Sequence, residues 1–298
     1  MVIIMKNILD YYYQIIVDDK DIDNKGYFSY NSHHFCLYEY KRNISESEAL
    51  ASLNQIMLAN NVSINKIINN IFNQVITFHN NKYYVLILVL YQFTDNGNIR
   101  FIETYNNPKL TILKRNEWSR LWSIKIDYIE YQLMHIKNKY PIINNSVNYY
   151  IGLAENAIAY FNMLNLSNIP LYLAHRRITK GNIYNPVELV IDYKVRDLAE
   201  YIKWEFFYNN KMIIEIENII NKVSLDSIDY LLLYIRLLYP SYYFDLYDQV
   251  INNNVSEDKL NSIIKLSSLY EKLLNRVYFI IKNKTNIISI PWLNSHSV

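Results

Sequence analysis

The run from Leu171 to Lys203, LYLAHRRITKGNIYNPVELVIDYKVRDLAEYIK, holds most of the residue types that phosphoryl transfer requires, in the order it requires them. Such chemistry uses a His-x-Asp turn whose Asp accepts the proton of the substrate hydroxyl. It adds an Asn five residues after that Asp, and a metal-binding Asp on the strand that follows. His175, Asn182 and Asp192 fill three of these places, and Arg177 stands where the base belongs. A guanidinium with a pKa above ~12 has no capacity to accept a proton. Losing a general base typically costs a factor of ~10²–10⁴ in rate. The turn therefore reads as a degenerate catalytic loop, with no catalytic residue assigned. Arg177 could instead hold a phosphate oxygen or pair with a carboxylate such as Asp192. An exposed basic turn outside any such register is the plainer alternative.

Asn182 and Asp192 offer a carbonyl oxygen and a carboxylate, ligands that suit Mg²⁺. They are the candidate metal ligands and, with Lys41, the candidates for a residual ATP/Mg site; no cofactor is required by this reading. The structural alternative is an Asn in a turn before Pro186 and an Asp at a strand end. His175 fits a role orienting the turn, and Arg176 a solvated charge. Asp197 and Glu200 fall in the first turn of a predicted helix, where acidic groups complement the dipole, and Arg196 is placed to lock that segment by an ion pair. Glu155 and Asn156 are polar in an apolar run, either as a buried network or on the surface.

An ATP-anchoring Lys would belong on the second early strand. There FCLYEYKR puts Tyr38 or Tyr40 at the position, and the alternation of strand side chains turns the nearby Lys41 toward the wrong face. Glu46 and Glu48 are the carboxylates that could pair with such a Lys. Ser45 with Glu48 three residues on also fits a capping box. Four glycines in the whole chain leave no Gly-rich phosphate loop.

Composition narrows the class further. At 298 residues, 51% hydrophobic and 19% charged, the chain is long and apolar enough for a sizeable core. A net charge of +2 gives no reason to expect nucleic acid or a membrane surface as partner. Cys36, the single cysteine, excludes an intramolecular disulfide and suits a reducing compartment. The histidines at 33, 34, 79, 135 and 296 show no metal-ligand spacing. The longest apolar run, Tyr83–Tyr91, falls far short of the ~20 residues of a membrane helix, and MVIIMKNILD lacks the features of a signal peptide. A cytoplasmic protein is expected.

The elements that would position these residues change character along the chain. Residues 1–95 read mainly as strands: His33–Tyr40, then two β-rich runs within Phe72–Tyr91 around the turn His79-Asn80-Asn81. One helix, from Ser45 to about Ala59, lies between them. After the turn at Asp95–Asn98, residues 96–298 read as helices. These include a face of Trp122, Ile126, Ile129, Leu133 and Ile136, and a second helix over Tyr149–Phe161 restarting near Ser146 after Pro141. Three more runs cover Leu198–Lys222, Ser224–Leu238 and Ser256–Lys282, with Ser224 and Ser256 as N-caps. The predicted class is α+β, a bilobal protein-kinase-like fold with a small β-rich N-lobe carrying one helix and a larger, mainly α-helical C-lobe.

Several motifs carry a more specific resemblance: YYIGLAENAIAY (Tyr149–Tyr160), the HRR turn, RDLAEYIK (Arg196–Lys203), YIRLLYPSYYFD (Tyr234–Asp245) and the closing IPWLNS (Ile290–Ser295). In their order and spacing the chain resembles the YutH-type spore coat proteins, relatives of the CotS coat proteins within the aminoglycoside phosphotransferase and choline kinase superfamily. The resemblance implies a kinase-like fold and a sporulation-associated role as a pseudokinase, assembled from the cytoplasm onto the spore coat. Its partners would be other proteins, coat components or assembly factors, with no nucleic acid and no membrane insertion. Two alternatives stay open: an active small-molecule phosphotransferase with its base relocated to Asp192 or Glu188, and a binding role outside sporulation.

Overall fold

A computed structural model describes residues 2–92, 101–103, 108–136, 139–179 and 181–294. The turn read at Asp95–Asn98, together with Ser295 and His296, lies outside the described residues. In chain order the first elements are helix α1 (Val2–Tyr13), strands β1 (Tyr27–Tyr30) and β2 (His33–Glu39), and helix α2 (Ser47–Ala59). Strands β3 (Lys66–Ile68), β4 (Thr77–His79), β5 (Lys82–Val89) and β6 (Ile102–Glu103) follow, then helices α3 (Trp118–Ile136) and α4 (Pro141–Asn162). Strands β7 (Tyr172–His175) and β8 (Leu189–Asp192) precede α5 (Arg196–Asn209), α6 (Ile213–Lys222), α7 (Ser227–Leu238) and α8 (Ser241–Ile251). The last helices are α9 (Leu260–Ile264), α10 (Ser267–Lys282) and α11 (Pro291–Asn294). The chain divides into two compact units. The first comprises Met1–Arg100, Tyr105–Lys114 and Thr179–Ile191, and the second Phe101–Thr104, Arg115–Ile178 and Asp192–Val298.

In the first unit an antiparallel sheet runs in the order β1-β2-β5-β3, with β4 also paired to β5. Register assigns its two faces. Phe28 opposes Phe35, and Leu37 opposes Leu86, so these side chains share one face. They pack with Met5, Ile8 and Leu9 of α1 into a buried core. Tyr27 opposes Cys36, which opposes Ile87, on the other face. Both faces of β5 are thus covered, and Val85, Leu86 and Ile87 are buried in succession, as a central strand requires. The expected hairpin at His79-Asn80-Asn81 is present, with Asn80 and Asn81 both at positive φ (49° and 60°). Those angles make the turn that matches strand twist, and Asn tolerates them.

In the second unit α7 is packed against α4, α5 and α10. Leu232, Leu233, Tyr234, Ile235, Leu237 and Leu238 are all fully buried, the pattern of a helix surrounded on all sides. Trp118 and Trp122 of α3 stack on each other, and Trp122 lies 4.2 Å from the Tyr239 ring, nearly parallel to it.

Several local expectations change. Residues 2–13 form a helix rather than strand-like structure, because Met5, Ile8 and Leu9 cover the sheet at helical spacing. The capping box at Ser45 is absent: a short 3-10 turn (Ile44–Glu46) precedes α2, and the Asn43 side chain accepts from the Ser45 amide. Pro141 follows α3 as expected but is itself the first residue of α4, so the second helix starts ahead of Ser146. The run 198–222 is two helices, broken where Asn210 takes a left-handed conformation (φ 51°). Helix α7 starts after Asp226, not Ser224. Ser256 caps a 3-10 turn ahead of α9, and α9 and α10 replace one continuous helix.

Candidate functional site

The HRR turn leaves β7 in the second unit, and α5 holds it. Asp197, in the first turn of α5, accepts both the His175 backbone amide and the His175 Nδ1 at 2.7 Å each. Arg196 donates to the carbonyls of His175 (2.8 Å) and Arg176 (3.1 Å) and pairs with Asp192. The turn's backbone is therefore clamped by two successive residues of RDLAEYIK. His175 is buried and orients the turn, Asp197 does more than complement a dipole, and Arg176 is exposed. Glu155 is exposed, and Asn156 donates to its own helix at the Gly152 carbonyl.

Asp192 has no free face. Its exposure is 0%, and its carboxylate accepts Trp118 Nε1 at 2.9 and 3.0 Å, the Tyr193 amide at 2.7 Å, and Arg196. Burial pushes this carboxyl above its ordinary value, against the pull of Arg196 and Arg236. Every donor around it competes with a cation for the same oxygens.

Arg177 does not pair with Asp192. Its guanidinium forks onto Asp245 of α8, with Nη2 to Oδ1 at 2.8 Å and Nε to Oδ2, while Nε lies 3.6 Å from Glu200. Burial opposes its charge, and Asp245 and Glu200 outweigh that and raise its pKa. Glu200 is the hub of the network beneath. Arg236 Nε reaches it at 2.8 Å, Lys203 Nζ at 3.0 Å and the Ser241 hydroxyl at 2.9 Å. Burial alone would raise the Glu200 pKa, yet Lys203, Arg236 and Arg177 hold it well below the carboxylate range. Burial and Arg236 pull Lys203 down to about 7, with Glu200 pulling the other way. Arg236 also lies over the Trp118 and Trp122 rings, at 5.1 and 5.5 Å. The carboxylates of Asp192, Asp197, Glu200 and Asp245 are each engaged by a cation or by His175.

Asn182 and Asp192 belong to different units. Asn182 Oδ1 accepts the Thr179 amide at 2.8 Å, and its backbone closes a turn onto Thr179 and Asn185. The oxygen proposed for a metal already serves the loop. Lys41 is 74% exposed and lies 3.9 Å from Glu39. The buried cation at this place is Arg42, which pairs with Glu46 and donates to the carbonyls of Val187 (2.7 Å) and Leu189 (2.6 Å). Glu46 therefore partners Arg42, and Glu48 stays in the first turn of α2. Glu188 accepts the Tyr38 hydroxyl at 3.0 Å. Among the described residues no three His, Cys, Asp or Glu side chains gather as a metal site.

Sequence reasoning missed a cavity in the first unit. It has a volume of about 260 Å³ and lies on the sheet face opposite α1, walled by Cys36, Tyr38, Ile87 and Val89, with Tyr91, Tyr184 and Asn65 at its sides. The register of β2 on β5 puts these side chains together, and only pairing reveals it. The wall carries no cation among the described residues. Burial, then Asp23, push the Cys36 thiol up to about 12, so it too is neutral.

Comparison with known proteins settles the family. The profile described as "Spore coat putative kinase YutH" matches residues 6–277. The chain belongs to this family. The Endospore coat-associated protein YutH of Bacillus subtilis (strain 168) is 26% identical over 211 residues, 61% of this chain and 62% of that protein. The chain thus matches less than two thirds of that relative's length. Among solved structures, the AMP-bound spectinomycin phosphotransferase APH(9)-Ia superposes with a TM-score of 0.60 at 11% identity, over 92% of this chain and 97% of that one. An aminoglycoside phosphotransferase from Alicyclobacillus acidocaldarius gives 0.54 at 8% identity, over 89% and 95%. Identities this low speak for fold alone: the fold is kinase-like and α+β, as the strand and helix patterns led one to expect.

Proposed function

We propose that this chain is a catalytically inactive kinase-like protein that works by binding other proteins, in association with the endospore coat. The observation that carries this reading is the fork of Arg177 onto Asp245 beside Glu200. It fills the base position with a charge that cannot accept a proton and fixes it there with carboxylates. The enclosure of Asp192 by Trp118 and Arg196 supports the same reading, since a metal ligand needs an open lone pair. Family membership supports the coat association, and its partners would be coat proteins or assembly factors. Among the described residues no helix is long and apolar enough to cross a membrane.

The test has two arms. Thermal unfolding of the full chain with millimolar ATP and Mg²⁺ is expected to show no shift, whereas ligand at 100 times its dissociation constant would add ~2.7 kcal/mol. Nucleotide-dependent phosphorylation of any small hydroxyl compound would overturn the inactive reading in favour of a phosphotransferase. Fractionation of spores with an antibody to the chain is expected to place it in the coat. Equal abundance in cells that are not sporulating would count against that placement.

A further inference from the structure

The first unit carries an exposed aromatic surface that runs from helix α1 through a loop to the β4–β5 hairpin. Helix α1 turns Met5, Ile8, Leu9 and Tyr13 into the core, yet the end of the helix remains aromatic on its outer side, where Tyr11 is 64% exposed. The Tyr11 and Tyr12 rings meet edge to face at 4.8 Å, and Phe72 lies 6.4 and 6.2 Å from them. The Tyr12 hydroxyl donates to the Phe78 carbonyl of β4 at 3.3 Å, and the Phe78 ring sits 4.9 Å from Tyr83 of β5.

The loop that presents Phe72 is fixed from beneath. Asn70 is buried; its Oδ1 accepts the Phe72 and Gln74 amides at 3.0 Å each, and its Nδ2 donates to Thr77 Oγ1 at 3.1 Å. The Asn70 amide donates to the Gln74 carbonyl and the Ile71 amide to the Tyr12 carbonyl, both at 2.9 Å. None of these bonds uses the Ile71 or Phe72 side chain. The loop therefore satisfies its polar groups internally and holds Ile71 (47% exposed) and Phe72 (55%) toward solvent in one geometry. An anchor already ordered in the free protein loses little entropy on binding.

We propose that this face joins two copies of the chain in an isologous dimer, with Phe72 near its centre. Tyr11, Ile71, Phe72 and Phe78, the last 52% exposed, leave roughly 400 Å² of side chain in water at ~200 Å² for each whole side chain. A patch of that size is already among the largest a monomer shows. Two of them supply roughly 800 Å², and Tyr12, Tyr83 and the polar border carry the total to the ~1,200 Å² of the smallest stable interfaces. Charge complementarity selects a second copy. In a twofold contact a surface meets itself, so charges near the axis oppose their own kind. The aromatic side chains here are uncharged, and exposed Gln14, Asn69, Asn73, Gln74, Asn80 and Asn81 flank them in sequence. Carboxamides are donor and acceptor at once and so complement themselves. The flanking charges in sequence, Asp10 and Lys82, are of opposite sign, and Lys82 is paired with Glu39 at 3.0 Å. The inference is independent of the Arg177 turn and of whether the chain is catalytic.

Sedimentation velocity of the full chain over a concentration series is expected to show a monomer–dimer equilibrium with a dissociation constant on the order of 10 µM. Raising salt from about 50 mM to about 500 mM should move that constant by no more than about twofold, because no ion pair forms the contact. Phe72→Asp leaves the backbone bonds of the loop in place and puts a like-charge pair into the contact; it is expected to weaken the dimer at least tenfold. Tyr11→Asp, on a different element, is expected to do the same and keeps the test decisive if the loop variant fails to fold. Tyr131→Ser removes a comparably exposed aromatic from α3 (60%) and is expected to leave the dimer intact. A chain that stays monomeric at about 200 µM would overturn the proposal, ten times above the expected constant and more. Binding of a coat extract lost in Phe72→Asp would then assign the face to another protein. A dimer indifferent to both Asp variants, or one dissolved by salt or by Tyr131→Ser, would place the contact elsewhere and overturn it as well.

Discussion

Asp192→Asn separates a structural carboxylate from a metal ligand. The side chain is 0% exposed and accepts from Trp118 Nε1, the Tyr193 amide and Arg196. Asparagine keeps the volume and one oxygen, but it removes the charge and turns an amide N–H₂ toward groups that are themselves donors. The Arg196 guanidinium, 6% exposed, would then lose its charged partner and have only neutral acceptors, among them the His175 and Arg176 carbonyls. Removing one partner of a buried ion pair costs about 3–5 kcal/mol. The retained oxygen argues for the lower end, about 3 kcal/mol. Urea unfolding followed by tryptophan fluorescence suits the measurement, because Trp118 both bonds Asp192 and stacks on Trp122. Replacing the pair together, as Asp192→Leu with Arg196→Met, is expected to recover at least half of the loss, since the unpaired charge goes with it. A loss below about 1 kcal/mol for the single variant would refute the reasoning. A response to Mg²⁺ and ATP that only wild type shows would point instead to a metal ligand.

Arg42→Lys is expected to cost about 2–3 kcal/mol in the same assay, because an ammonium cannot span Glu46 and the carbonyls of Val187 and Leu189 as the fork does. Lys41→Ala should leave both the unfolding midpoint and any nucleotide response unchanged, since its side chain is solvent-facing. Glu200 has a folded pKa held below its ordinary 4.5, so its stabilisation is complete above that value and is lost as pH falls through the folded pKa. Wild type and Glu200→Gln should therefore differ most above pH 4.5 and converge in acid, which a pH series of melting temperatures checks. A difference constant down to pH 2 would show that Glu200 is not ionised in the network.

The sequence by itself determined the division of character along the chain and the series His175, Arg177, Asn182 and Asp192. These are matters of residue type and local spacing, and a guanidinium cannot accept a proton in any fold. It also held, unread, the helical spacing of Met5, Ile8 and Leu9 in a segment rich in β-branched residues. What each charge does was decided by tertiary structure alone. Asp245 lies 68 residues from the Arg177 it anchors, and Trp118 lies 74 from Asp192. Strand register gathers Cys36, Ile87 and Tyr27 on one face, and the Asn65 carboxamide is fixed by the end of a strand 25 residues on. Long-range pairings of this kind leave no periodic trace in sequence, because the energy of a buried charge depends on which partners the fold brings to it.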